Sequence, residues 1–137
     1  GDKTAEMIKV AVGSAVPVEE ELVMTVKGRD LLSGLPRAAE IKTNEVVKAI
    51  AKELREMIKA IKDVLQETPP ELASDIIDYG ITMTGGSSQL RNFPELVLRR
   101  TGVKAVVAKD AYYCVAKGTG IALDHLDTYK KSISAKR

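Results

Sequence analysis

The sequence predicts an α/β fold to which a smaller α+β lobe is attached. From Thr43 onward, stretches with helical spacing alternate with short apolar strands, which is the pattern of an α/β domain. The preceding residues instead suggest one helix and two strands separated by turn residues. We therefore divide the chain into a smaller lobe, residues 1–42, and a larger lobe, residues 43–137.

Composition narrows the possible functions. The 137 residues suffice for one domain or two small lobes, and the net charge of +2 is too small to indicate a nucleic-acid partner. With a single cysteine, no intrachain disulfide can form, so we expect the protein to be located in the reducing cytoplasm. No apolar run approaches the roughly 18 residues that a membrane span requires. The chain starts at Gly1 rather than Met, so we expect a fragment of a longer protein.

The smaller lobe is predicted to hold a helix and a β-hairpin. Residues 4–12 have helical spacing, with Thr4 as N-cap, and Gly13 and Pro17 end the helix. Residues 21–27 alternate between apolar and polar side chains, and residues 37–41 follow two turn signals as the partner strand.

The strongest helical pattern covers residues 43–66. Its apolar residues fall on one stripe and the rest are rich in Lys and Glu, which predicts one amphipathic helix packed on the core. A helix lying on a membrane surface is the alternative. The stripe consists of Val46, Val47, Ile50, Leu54, Met57, Ile58, Ile61, Val64 and Leu65.

Two later stretches carry a capping-box pattern. Thr68 and Glu71 are expected to open a short helix, and Asn92 and Glu95 a second one that ends at Gly102.

Two short strands and a last helix complete the predicted elements. Residues 81–84 are expected to form a short buried strand, and residues 103–108 another apolar strand. Asp110 is expected to cap one long final helix that runs to about Tyr129.

The turn after the strand of residues 81–84 is the best candidate for a binding site. Ligands of open α/β sheets lie beyond the carboxyl ends of the strands. Gly85 and Gly86 have no Cβ, so the backbone there could approach a ring or a phosphate, and Ser87 and Ser88 add hydroxyl groups. A simple tight turn is the alternative.

Glu6 and Lys9 are a second candidate pair. They are three residues apart and share one face of the first predicted helix. They could form a surface ion pair or bind the hydroxyl groups of a ligand. Other chemistry is disfavoured, because His125 and Cys114 are single and lie eleven residues apart, which suits neither a Cys/His nucleophile pair nor a zinc site.

Five stretches, in the same order, resemble the MreB family of bacterial actin-like filament proteins. They cover nearly the whole chain, and their order makes them specific together. Ser87 replaces a third glycine that is common in the family, and Ala111-Tyr112-Tyr113 replaces a usual Pro-Leu-Thr. The stretches are residues 4–15, 26–37, 69–76, 84–92 and 114–120.

This resemblance implies an actin-like, ribonuclease H-like ATPase fold of which the chain is the C-terminal half. In the family this domain closes one side of an ATP cleft, and Mg²⁺ accompanies ATP in the intact protein. The resemblance implies that Glu6 and Lys9 contact the ribose and adenine. It also implies that the backbone from Gly85 and Gly86 through Ser87 and Ser88 to Gln89 passes along the nucleotide.

The resemblance also implies limits and partners. The phosphate loop, the metal-binding carboxylate and the water-activating residues belong to the family's first domain, so we expect this chain alone neither to hold ATP tightly nor to hydrolyse it. We expect a cytoplasmic protein that supports cell shape, whose smaller lobe contacts the next copy in a filament.

The C-terminal tail is basic. Lys130, Lys131, Lys136 and Arg137 lie in a segment without acidic residues. It could be a solvated terminus, or it could attach the protein to an anionic membrane surface at the inner face of the cell membrane.

Two other functions stay open at this point. The chain could belong to another actin-fold ATPase, such as a sugar kinase or a chaperone. It could also be a free-standing interaction module without a nucleotide.

Overall fold

The computed structural model describes residues 1–134, and side chains as far as Lys130. After the first helix and the hairpin, the helices and strands follow in the predicted order. Short 3₁₀ helices cover Gly86–Gln89 and Ala111–Tyr113. The helices are α1 (Asp2–Val12), α2 (Thr43–Ala49), α3 (Ala51–Glu67), α4 (Pro70–Tyr79), α5 (Phe93–Thr101), α6 (Cys114–Asp124) and α7 (Leu126–Ser134). The strands are β1 (Val23–Arg29), β2 (Pro36–Lys42), β3 (Ile81–Met83) and β4 (Ala105–Val107).

The smaller-lobe elements form as predicted, with shifted boundaries. Strands β1 and β2 pair antiparallel, with Val23 opposite Lys42 and Arg29 opposite Pro36. Helix α1 begins at Asp2, so Thr4 lies inside the helix and is not its N-cap. The first strand begins two residues later than predicted and extends two residues further.

The predicted continuous helix of residues 43–66 is wrong. It consists of α2 and α3, which are separated at Ile50, where φ is −96° and ψ is 5°. The Ile50 amide still donates to the Val46 carbonyl, and the Leu54 amide to the Ile50 carbonyl. Helical hydrogen bonds therefore continue across the break, which is confined to the backbone of Ile50.

The two predicted capping boxes are also wrong. The Thr68 hydroxyl donates to the Val64 carbonyl at 2.7 Å instead of capping α4. Asn92 has a left-handed backbone, with φ of 62°, and its side-chain amide donates to the Ser14 hydroxyl at 3.1 Å. Thr68 thus bonds to the preceding turn of α3 and Asn92 to a residue distant in sequence, so neither side chain is available as a cap.

Strands β3 and β4 form a parallel pair, with Ile81 opposite Ala105 and Met83 opposite Val107. In β3 Met83 is buried, Ile81 is half-buried and Thr82 is exposed, so the prediction of a short buried strand holds only in part. The backbone segments that precede β3 and β4 lie so close together that only glycine fits at position 80. Its φ is +79°, and an added Cβ would lie 2.5 Å from the Lys104 carbonyl oxygen.

One hydrophobic core joins α3, α5 and both strands of the parallel pair. Ala15 and Val16 belong to this core, although they precede the lobe boundary that we set at Thr43. The division at Thr43 stays a prediction. The buried core residues are Ala15, Val16, Leu54, Ile58, Met83, Phe93, Leu96, Val97 and Ala105.

The last predicted helix is interrupted twice. Asp110 has φ of 54° and precedes a 3₁₀ turn instead of capping a helix, and His125 separates α6 from α7. Within residues 1–134, no helix has the length and apolar character that crossing a bilayer would require.

Candidate functional site

A cleft of about 680 Å³ lies between α1, the start of α3 and the turn that follows β3. Five of the predicted site residues line it: Glu6, Lys9, Gly86, Ser87 and Gln89. The fold therefore brings together two candidate groups that lie far apart in the sequence.

Helix α1 contributes the charged wall of the cleft. The Lys9 ammonium lies 2.7 Å from a carboxylate oxygen of Glu6, and both side chains are exposed to solvent. A pair of this kind is weak, because water competes for both groups. Glu6 and Lys9 are therefore free to exchange their mutual contact for contacts to polar groups of a ligand.

Gly85 and Ser88 hold the turn in place. Gly85 has φ of +85°, which favours glycine, and its amide donates to the Ala111 carbonyl at 2.8 Å. The buried Ser88 hydroxyl donates to the Gly85 carbonyl at 2.7 Å. Neither Gly85 nor Ser88 lines the cleft. The two residues instead anchor the segment that carries the lining residues Gly86, Ser87 and Gln89. Their direct nucleotide contact stays a prediction.

Gly86 lies next to the aromatic side chain of Tyr112, which also lines the cleft. A Cβ added at Gly86 would lie 3.4 Å from the ring of Tyr112, an ordinary van der Waals distance. Tyr112 packs edge to face with Tyr113, with ring centroids 5.2 Å apart. We did not predict Tyr112 as a site residue; the signal that could have indicated it is the unusual Ala111-Tyr112-Tyr113 stretch.

Arg91 is another lining residue that sequence analysis missed. Its guanidinium donates to the Thr43 hydroxyl at 3.1 Å, and the same hydroxyl accepts the Leu22 amide at 3.0 Å. The buried Nε of Arg91 has no hydrogen-bond partner within the described part of the chain. Arg91 thus links the cleft to the base of the hairpin.

Helix α3 and the segment after the turn supply further lining residues. Glu53 and Met57 come from α3, while Leu90 and Phe93 follow the turn. The cleft therefore combines apolar and aromatic walls with a few polar groups, as small-molecule sites commonly do. In residues 1–134 we find no cluster of three or more His, Cys, Asp or Glu side chains that could hold a metal ion.

The basic tail lies mostly beyond what the structure describes. Lys130 is exposed on α7, and Lys131 is in the same helix but its side chain is not described. Lys136 and Arg137 lie outside the described residues.

Comparisons with known proteins agree on one family. The family described as MreB/Mbl protein matches residues 1–131. The chain is 42% identical over 129 residues to the cell shape-determining protein MreB of Escherichia coli strain K12, covering 94% of this chain and 37% of that protein.

Two solved structures share the fold. A crystal structure of MreB5 of Spiroplasma citri bound to ADP is 36% identical, with a TM-score of 0.85 over 98% of this chain and 40% of that one. The AMPPNP-bound form is 33% identical, again with a TM-score of 0.85, over 96% of this chain and 40% of that one. The predicted actin-like fold is confirmed. The chain spans about two fifths of the length of these proteins.

Proposed function

Because the chain belongs to the MreB/Mbl family, we propose that it supplies one wall of the nucleotide cleft in an ATP-dependent, filament-forming cell-shape protein. The convergence of α1 and the turn after β3 carries this proposal. Glu6 and Lys9 on one side, and Gly86, Ser87 and Gln89 on the other, line the same cleft. Its volume of about 680 Å³ is within the range of small-molecule sites.

The chemistry of the cleft fits a nucleoside. Glu6 offers an acceptor for hydroxyl groups and Lys9 a donor, and their solvent-exposed ion pair is easily replaced. Gly86 leaves room for a flat ring beside the backbone, next to Tyr112. The binding of ADP and AMPPNP by MreB5 of Spiroplasma citri supports the choice of an adenine nucleotide.

ATP hydrolysis requires groups other than those that line this cleft. Phosphoryl transfer depends on phosphate-binding groups and on a metal ion that neutralises charge. In the family the resemblance places these groups in the first domain, which we propose as the part of the intact protein that holds Mg²⁺ together with the phosphates. We therefore expect the pure chain to have no magnesium-dependent ATPase activity.

The hairpin tip is the part of the smaller lobe best suited to contact the next copy in a filament. Leu31 and Leu32 are 98% and 100% exposed, and such adjacent apolar side chains usually mark an interface. The Asp30 carboxylate accepts the amides of Leu32 and Ser33 at 3.0 and 2.8 Å, which fixes the turn that presents the leucines.

We further propose that the filament lies in the cytoplasm at an anionic membrane surface, which the basic tail contacts. Each basic residue close to such a surface contributes about 1 kcal/mol. A single copy would bind weakly, and many copies in a filament would bind stably.

The test is nucleotide binding by the full-length protein, measured by calorimetry. Glu6→Ala and Lys9→Ala should each weaken ATP binding by roughly 1–3 kcal/mol, the cost of leaving a polar partner unmatched. The matched control is Lys59→Ala with Asp63→Ala, which removes another exposed ion pair, of 2.6 Å, away from the cleft. Unchanged ATP affinity in both cleft variants would leave Glu6 and Lys9 as a surface pair.

A further inference from the structure

The side chain of Arg91 reaches from the cleft to the base of the hairpin. Arg91 lines the cleft and comes two residues after Gln89, the last residue of the 3₁₀ helix that follows β3. Its guanidinium donates to the Thr43 hydroxyl at 3.1 Å, although the two residues are 48 positions apart in the sequence. One side chain therefore joins the wall of the cleft to the residue at which the hairpin ends.

Thr43 is the point at which the two ends of the hairpin meet. Leu22 directly precedes β1, and Thr43 directly follows β2. The Thr43 hydroxyl accepts the Leu22 amide at 3.0 Å, and the Thr43 amide donates to the Leu22 carbonyl at 3.1 Å. Thr43 is fully buried, so water does not compete for these hydrogen bonds. The position of Thr43 therefore fixes both strands at their base.

The backbone around Arg91 is anchored separately from its guanidinium. The Arg91 carbonyl accepts the Ala15 amide at 2.8 Å, and the Asn92 side chain donates to the buried Ser14 hydroxyl at 3.1 Å. Within the described part of the chain, Arg91 forms no salt bridge. The guanidinium is thus positioned by its own backbone and by the Thr43 hydroxyl, so a contact that restrains this segment also restrains the guanidinium.

We propose that Arg91 is a positioning residue that transmits occupancy of the cleft to the base of the hairpin. The inference rests on the proposed nucleotide cleft and adds to it a route to the hairpin. A ligand against Ser87 and Gln89 restrains the segment that carries Arg91, because only one residue separates Gln89 from Arg91. Arg91 then donates to Thr43 for a larger fraction of the time, and the hydrogen bonds between Thr43 and Leu22 open less often.

Amide hydrogen exchange at Leu22 and Thr43 measures this effect, because these amides donate across the base of the hairpin. Full-length protein is compared with and without saturating AMPPNP, at a concentration at which light scattering shows no polymer. Exchange at both amides should slow by about fivefold when AMPPNP binds, the factor that one additional hydrogen bond contributes to a local opening. The amides of Leu32 and Ser33 at the hairpin tip are the reference and should exchange equally in both states.

Arg91→Met tests the guanidinium, because it removes the donor, keeps a long side chain and leaves both reporter amides with their acceptors. AMPPNP is supplied at a concentration that saturates the variant in calorimetry, and it should no longer slow exchange at Leu22 and Thr43. The matched control is Asn92→Gly, which removes another hydrogen bond of 3.1 Å from the same segment and suits the left-handed backbone there. The control should keep the slowing.

Two substitutions at Thr43 separate its hydroxyl from its packing, with the amide of residue 43 as the reporter. Thr43→Ser keeps the hydroxyl and should keep the slowing by AMPPNP. Thr43→Val keeps the shape but removes the hydroxyl, so the slowing should disappear. If the Arg91 bond had a purely structural role, its loss would raise exchange by the same factor with and without AMPPNP, and the ratio between the two states would keep its wild-type value.

Several results would overturn the proposal. One is equal exchange at Leu22 and Thr43 in wild-type protein with and without bound AMPPNP. Another is an undiminished slowing in folded Arg91→Met protein, and a third is loss of the slowing in Thr43→Ser as complete as in Thr43→Val. Calorimetry of the same samples separates this inference from the cleft itself. Absence of AMPPNP binding by wild-type protein would refute the cleft and this route together, whereas binding without slowing would refute the route alone.

Discussion

The turn after β3 and the tip of the β1–β2 hairpin are both held by hydrogen bonds but expose different groups. The turn after β3 is held by the Gly85 amide, which donates to the Ala111 carbonyl, and by the Ser88 hydroxyl. The hairpin tip is held by the Asp30 carboxylate, which accepts two backbone amides and the Arg37 guanidinium. Both turns are thus fixed by hydrogen bonds, which are local at the hairpin tip and reach a distant segment, Ala111, in the turn after β3.

What the two turns expose is opposite. The turn after β3 leaves backbone without a Cβ at Gly86 facing a cleft, whereas the hairpin tip leaves two whole leucine side chains in solvent. Exposed backbone suits close contact with a small flat ligand, and exposed side chains suit burial against a larger partner. The difference supports our proposals that the first turn binds a ligand and that the hairpin tip contributes to assembly, and each proposal can be tested separately.

The largest expected effect is that of Gly86→Val on ligand binding. The new side chain would fill the space that a nucleotide needs, so the full-length protein should lose measurable ATP binding in calorimetry. Folding should survive, because φ at Gly86 is not in the left-handed region and the atoms nearest to an added Cβ belong to the exposed side chain of Tyr112, which has solvent to move into.

Gly28→Val is the matched control in the hairpin, because an added Cβ there has no neighbour within 4 Å. Circular dichroism checks that both variants fold. If folded Gly86→Val protein binds ATP with wild-type affinity, the turn after β3 has only a structural role. The contrast between a ligand-binding turn and an assembly turn would then no longer hold.

A smaller effect is expected from the double change Leu31→Ser and Leu32→Ser. Burying a leucine stabilises a contact by about 1.5–3 kcal/mol, so removing two should weaken each subunit contact by roughly 3–6 kcal/mol. The critical concentration for polymerisation, measured by light scattering, should rise more than 100-fold. ATP binding by monomers should not change.

Polymerisation at the wild-type concentration would show that the leucines are not at a subunit contact. Leu22→Ser is a suitable control, because Leu22 is also exposed but precedes β1 and lies away from the tip.

The sequence predicted those features of the fold that depend on local pattern. The hairpin, the Gly-Gly turn after a strand and the left-handed end of α5 at Gly102 all follow from residue types with strong backbone preferences. The same holds for Glu6 and Lys9, whose spacing places both on one face of α1. The convergence of α1 with the turn after β3 does not follow from spacing, and only the family resemblance implied it.

The features that the sequence did not predict depend on tertiary contacts. Ile50 continues the apolar stripe, so the break between α2 and α3 leaves no trace in the periodicity. Asn92 has the composition of a cap but donates to Ser14, which is distant in sequence. Tyr112 belongs to the cleft because the 3₁₀ turn of Ala111–Tyr113 packs on the turn after β3. Each case needs knowledge of which segments meet in space.

The next smaller effect concerns the basic tail. Truncation of the full-length protein after Tyr129 removes Lys130, Lys131, Lys136 and Arg137, a loss of roughly 2–4 kcal/mol at an anionic surface. Sedimentation with anionic vesicles should fall and should depend on salt in the intact protein. Equal binding to neutral and anionic vesicles, or no change on truncation, would exclude the tail as an anchor.

The smallest effect is expected at Asp30 and tests how the hairpin tip is held. The Ser33 amide, then the Arg37 guanidinium, the Ser33 hydroxyl and the Leu32 amide lower the pKa of this carboxyl from 3.8 to about 2. A carboxyl with a depressed pKa stabilises the folded turn above its ordinary pKa, and that stabilisation is lost as the pH falls from about 4 through about 2.

We therefore expect the amide resonances of Leu32 and Ser33 to titrate with a midpoint near 2 in an NMR titration, while ATP binding at neutral pH is unaffected. Asp30→Asn should abolish this titration, because it removes the group that gains the proton. A midpoint near 4 at Leu32 and Ser33 would mean that the carboxylate does not hold the tip in solution. The leucines would then be presented by a loose loop, and the hairpin would no longer be comparable with the fixed turn beside the cleft.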